Sequence, residues 1–134
     1  MGAITRFEDI EAWQLARLLV SATFEICKTT PLRREYGLKD QIQRSAVSIM
    51  ANIAEGFGRR GHQEFIQYLR IARGSCSEVQ SHLYVALDAG HIDQETFRSM
   101  QDQATLVGRK ISAFIQYLNS TSRSRNKKPS PRAN

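Results

Sequence analysis

Two cysteines, Cys27 and Cys76, are all the thiol chemistry in this sequence, and neither sits in a ligand or redox motif. That excludes a disulfide-stapled scaffold and points to two buried thiols in a reducing cytoplasm rather than a bridge. His62, His82 and His91 show no zinc spacing with each other or with the cysteines. No glutamate is followed three residues later by a histidine, so the di-iron pattern of helical bundles is missing as well. No apolar run approaches the roughly 18 residues of a membrane span, and no signal peptide opens the chain. Sustained alternation of period two is also lacking, which argues against a sheet. Gly56-Phe57-Gly58-Arg59-Arg60-Gly61 matches G-x-G-x-x-G literally but follows a helical pattern instead of a strand, so it reads as a helix-ending turn. Walker-type and nucleophile-elbow motifs are absent. No metal, cofactor, small-molecule substrate or membrane is therefore expected, and nothing argues for an enzyme.

What the chain does have is helical periodicity. Its 134 residues suffice for one domain with its own core. Thr5-Arg6-Phe7-Glu8 fits a capping box with Thr5 as N-cap. Ile10, Trp13, Ala16, Val20 and Phe24 then recur at helical spacing, with Leu15, Leu19, Ala22 and Ile26 beside them. Pro31 ends this first helix. A second carries Leu38, Ile42, Ala46, Ile49 and Ile53, and is punctuated by Gly56, Gly58 and Gly61. A third places Phe65, Leu69, Ala72, Cys76, Val79, Leu83 and Ala86 on one face and stops at Gly90. Asp93 caps a fourth, with Phe97, Met100, Ala104, Val107, Ile111, Phe114 and Leu118 as its stripe. The expected helices cover about 6–29, 37–56, 63–89 and 93–119. The fold class is all-α: an antiparallel up-down-up-down four-helix bundle over 1–119, with a basic, disordered tail over 120–134.

The net charge of +6 is unevenly placed. In 33–73, Arg33, Arg34, Lys39, Arg44, Arg59, Arg60, Arg70 and Arg73 face four acids. The tail adds Arg123, Arg125, Lys127, Lys128 and Arg132 without an acid, giving it either phosphate contacts or only solubility. Arginine suits bidentate contact with phosphate, so Arg33, Arg34, Lys39, Arg44, Arg59, Arg60 and Arg70 are the candidate nucleic-acid contacts. A solvated face is the plainer reading of the same residues, because only Tyr36, Phe57 and Tyr68 offer aromatic surface for stacking.

One stripe is unusual. Gln41, Ser45, Ser48, Asn52 and Glu55 share a face of the second helix, where Lys and Glu would be better helix formers. Ser45, Ser48, Asn52, Glu55, Gly56 and Arg73 read as a structural signature or interface rather than an active site. Arg73 falls about 40° from Leu69 on the third helix, and Glu55 sits in a last turn that disfavours acids. Two readings follow. The two side chains pair across the interface, or Arg73 reaches water along its own stem.

The run Tyr36-Gly37-Leu38, Gln41-Ile42, Ser45-Ala46-Val47-Ser48-Ile49 and Asn52-Ile53-Ala54-Glu55-Gly56, with Ile71-Ala72-Arg73-Gly74-Ser75 downstream, resembles the 23S rRNA-intervening sequence protein family. Phe7-Glu8-Asp9-Ile10 and Trp13 fit it too, and the resemblance spans about residues 6 to 119. It implies a four-helix bundle assembled as a homopentameric ring. A distant relative, the accessory protein of diversity-generating retroelements, is basic and pentameric and binds nucleic acid. One departure is Gly61-His62, where family members carry a Ser or Thr before the third helix, so a looser helix start is expected. The functional expectation is a non-enzymatic oligomeric scaffold for RNA or DNA in the cytoplasm. The alternative is a purely structural or protein-interaction module. A catalytic site between subunits would need converging ionisable groups that no motif supplies.

Overall fold

The computed structural model describes residues 3–126, with side chains to Thr121. Four helices follow one another: α1 (Glu11–Thr29), α2 (Tyr36–Phe57), α3 (His62–Asp88) and α4 (Gln94–Asn126). Short 3-10 turns at Phe7–Asp9 and Pro31–Arg34 complete the chain, and the described residues contain no strand. Each helix packs against its neighbours in cyclic order, α1 on α2, α2 on α3, α3 on α4 and α4 back on α1. The result is the antiparallel four-helix bundle that the spacing predicts.

Several boundaries have local causes. The expected capping box does not form: Arg6 is the N-cap of the opening turn, and Glu8 turns to the Arg6 guanidinium at 2.8 Å. Ile10 is extended (φ −76°, ψ 120°) and fully buried, so α1 begins one residue later. At the far end of α1, Thr30 Oγ1 accepts the Leu32 N–H, and Pro31 starts the next turn with its φ already set. The end of α3 is a Schellman motif, with Gly90 at φ 79° and the His91 N–H donating to the Ala86 carbonyl at 2.8 Å. Gly61 opens α3 at φ 82° without any side-chain cap, as expected of Gly in place of Ser or Thr. Asp93 does cap α4, accepting the Thr96 N–H at 2.8 Å. That hydrogen bond holds the Asp93 carboxyl below the usual carboxylate range. Contrary to expectation, α4 continues past Asn119 to Asn126. The rest of the tail lies outside the described residues.

The core follows the predicted faces of α2, α3 and α4 and departs from that of α1. Ile42, Ile49, Ile53, Leu69, Val79, Leu83 and Ile111 are fully enclosed. On α1 the buried side is Ala12, Ala16, Leu19, Thr23, Ile26 and Cys27, while Phe24 is partly exposed. Periodicity misjudged this face because Thr23 looks polar; its hydroxyl donates to the Leu19 carbonyl at 2.7 Å and is thereby satisfied inside the core. Ala12 and Ala16 let neighbouring helices come close. Both thiols are free and buried, as expected, and burial pushes Cys76 up to about 12 and Cys27 in the same direction.

Helices α2 and α3 approach closely at Gly56. A Cβ there would stand 2.6 Å from Tyr68 Cβ and 2.9 Å from Phe65 Cδ1. Gly56→Ala should therefore destabilise the protein by about 1–3 kcal/mol in urea unfolding. Gly74→Ala, whose Cβ meets nothing within 4 Å, should stabilise it by up to about 1 kcal/mol. The Asp93 cap gives a pH prediction. Its carboxyl titrates lower folded than unfolded, so the cap contributes above the unfolded value near pH 4 and is lost as pH falls through the folded one. Thermal melts should show Asp93→Ala below wild type at pH 7, with the gap narrowing steadily below about pH 4.

Candidate nucleic-acid interface

The predicted basic residues divide between the two ends of the bundle. Leu32 is fully buried and anchors the Pro31–Arg34 turn, which forces Arg33 and Arg34 outward into solvent. Lys39 lies one turn into α2; its Nζ donates to the Arg33 carbonyl at 3.3 Å and sits 5.0 Å from the Tyr36 ring centroid. Tyr36 is 75% exposed, so an aromatic face stands beside Lys39, two residues on from exposed Arg34. The acid within this segment, Glu35, is drawn aside to His91 Nε2 at 3.0 Å on the turn between α3 and α4.

Arg59 and Arg60 occupy the other end, about 33 Å away along α2. Arg59 is engaged: its Nη2 donates to Glu55 Oε1 at 2.6 Å and to the Tyr68 hydroxyl at 2.8 Å. Arg44 is likewise held, by Asp40 at 2.8 Å one turn back on α2. Arg33, Arg34, Arg60 and Arg70 are exposed and meet no carboxylate within ion-pairing distance among the described residues. The seven candidates are thus not one patch. Two are locally neutralised, three cluster with Tyr36 at one end, and Arg60 and Arg70 serve the rest of the α2–α3 side.

The polar stripe lies in the seam between α2 and α3. Ser45 is buried, the Ser48 and Ser75 hydroxyls meet at 2.9 Å, and Asn52 Nδ2 donates to both the Ser48 carbonyl (2.8 Å) and its hydroxyl (3.0 Å). Every buried side-chain nitrogen and oxygen among the described residues has a partner. Small hydroxyls suit this place because the Gly56 approach leaves no room for longer side chains. Of the two readings for Arg73, the pair with Glu55 is the one that does not form. Glu55 lies beside Gly56, across from Phe65 and Tyr68, whereas Arg73 is more than a turn further along α3. Arg73 is exposed instead and faces α4, its Nη1 lying 3.4 Å from Ser112 Oγ.

The sequence reading passed over one basic residue of interest, Arg109. It lies in a stretch richer in acid than in base, so its charge is hidden in any regional sum. In the fold it lines a groove of about 430 Å³ between α3 and α4, together with Arg73. A larger cleft of about 940 Å³ at the bundle end is walled by Phe57, Phe65, Phe114 and Tyr117. Its rim cation Lys110 is paired with Glu11 at 3.2 Å. Among the described residues there is no cluster that could hold a metal, and no helix long and apolar enough to cross a membrane.

Four helices packed in cyclic order around the α2–α3 hairpin define the class: a four-helix-bundle protein. The chain belongs to the family of 23S rRNA-intervening sequence proteins, whose model matches residues 8–113. The fold is similar to the crystal structure of a protein of unknown function from the S23 ribosomal protein family of Bacteroides thetaiotaomicron. The two share 23% identity with a TM-score of 0.71, over 78% of this chain and 97% of that one. No curated protein matches the chain.

The seam yields a direct test. Ser75→Ala should cost about 1 kcal/mol, and the Ser48→Ala/Ser75→Ala double-mutant cycle should show coupling of at least about 0.5 kcal/mol in chemical unfolding. Additivity would mean that the hydroxyl pair contributes nothing.

Proposed function

We propose that this protein is a non-enzymatic scaffold that assembles as a homopentameric ring and binds RNA or DNA through its exposed arginines. The observation that carries the binding reading is the cluster of Arg33, Arg34 and Lys39 around Tyr36. Three cations supply phosphate contacts, a 75% exposed ring offers a stacking platform, and the adjacent acid is occupied by His91. Arg60 and Arg70 extend the contact, and five copies turn a weak site into a useful one by avidity.

Assembly is supported by a second observation. Ile71, Gly74, Glu78, Ser81 and Val85 follow one another by 3, 4, 3 and 4 on an exposed face of α3. Ile71 and Val85 are each about half exposed, and Val47 on α2 is 41% exposed. Such a stripe, apolar at Ile71 and Val85, small at Gly74 and Ser81 and carrying one charge at Glu78, suits a subunit contact. The same stripe supports the alternative, a protein-interaction module that binds no nucleic acid.

Two measurements decide between them. Light scattering after gel filtration should give about 76 kDa for five 15.2-kDa chains. Binding to a generic 20-nucleotide RNA should fall by more than about tenfold between 50 and 200 mM salt. Arg33→Gln/Arg34→Gln should weaken it evenly across sequences and flatten the salt slope by about 1.4. Absence of RNA and duplex DNA binding even at low salt would leave the interaction module as the reading.

A further inference from the structure

The groove between α3 and α4 has a composition that the bundle itself does not explain. Arg73 enters from α3 and Arg109 from α4, and the residues lining it include no carboxylate. Ser77, Thr105 and Ser112 add hydroxyl-bearing side chains to the lining. Arg73 uses one of its five donors in a long 3.4 Å contact with Ser112, and Arg109 has no ion-pair partner among the described residues. Two exposed guanidinium groups that line one groove with no acid in its lining make it attractive to an anion.

The floor is as informative as the rim. Gly108 lies between Thr105 and Ser112 on α4, and a Cβ there would meet nothing within 4 Å. The space is therefore left open rather than closed by packing. Its walls are tied together: Gln80 Nε2 donates to Thr105 Oγ1 at 3.0 Å, and Gln101 Nε2 to the Gln80 carbonyl at 2.9 Å. Rigid walls, an open floor, two permanent cations and several hydroxyl donors match a phosphate oxyanion, which takes bidentate arginine contacts and further hydrogen bonds at once.

We infer that the α3–α4 groove is a phosphate-binding site that grips the backbone of a bound nucleic acid between Arg73 and Arg109. This rests on the nucleic-acid reading above for its ligand, but not for its chemistry. The nearest acids in sequence, Glu78 and Asp102, lie outside the lining and leave the groove positive. Arg73 thereby gains a role that pairing with Glu55 would have denied it.

The test uses the full-length protein, the Arg73→Gln/Arg109→Gln variant, and Arg98→Gln as an exposed arginine outside the groove. Titration of inorganic pyrophosphate, followed in amide correlation spectra, should give saturable shifts at Ser77, Gly108 and Ser112 that the double variant loses and the control keeps. No saturable shift at those positions overturns the site. With the 20-nucleotide RNA, the double variant should lose at least about tenfold in affinity and about 1.4 in salt slope, the control less than threefold. Equal losses in the two variants overturn the assignment of the groove to nucleic acid. If pyrophosphate binds and RNA does not bind even wild type, the groove stands as a site for free phosphate and the nucleic-acid reading falls.

Discussion

The close approach of α2 and α3 at Gly56 is the constraint on which the other features depend. With Cβ of Tyr68 so near, only hydrogen fits on that Cα. Once the two backbones are that close, the positions above Gly56 in the seam can hold only short side chains. Ser48, Asn52 and Ser75 fill them and satisfy each other's hydrogen bonds. Long polar residues would push the helices apart, and an apolar residue at only one of these positions would leave the remaining hydroxyl or amide without its partner. The stripe is therefore a consequence of helix spacing.

Fixing that hairpin also fixes where the charges go. The turn beyond Gly56 leaves Arg59 to Glu55 and Tyr68, and sends Arg60 into solvent. At the far end, buried Leu32 and the Glu35–His91 contact hold the Pro31–Arg34 turn so that Arg33 and Arg34 project beside Tyr36. Arg73, offered no acid across the seam, faces α4. Exposed i to i+4 pairs such as Arg44 with Asp40 add little to stability; their effect here is to decide which cations are left over for a partner.

Much of this architecture was legible in the residues alone. The stripes of α2, α3 and α4, the Gly90 stop and the Asp93 cap depend on local spacing and backbone preference, which sequence records directly. The α1 face was misjudged because a threonine bonded to its own helix is as much a core residue as a valine, and polarity hides that. The Thr5 box failed because Arg6 competes for Glu8. Site geometry was less accessible. Helical angles place Arg73 near the middle of the apolar face of α3, and only the packing of the helices shows that it is exposed and that Glu55 lies more than a turn away. Arg109 was invisible to charge counting because its significance comes from the helix opposite, not from its own neighbours.

The central claim is that the arginines without carboxylate partners on the Pro31–Arg34 turn, the α2–α3 side and the α3–α4 groove, not the basic residues as a whole, make the contact with nucleic acid. Phenylglyoxal footprinting with mass spectrometry, in the presence and absence of the 20-nucleotide RNA at low salt, tests it residue by residue. The account predicts strong protection of Arg33, Arg34, Arg60, Arg70, Arg73 and Arg109 and unchanged labelling of Arg17 and Arg98, which lie outside these surfaces. Protection confined to Arg44 and Arg59, or labelling that RNA does not alter anywhere, would contradict it.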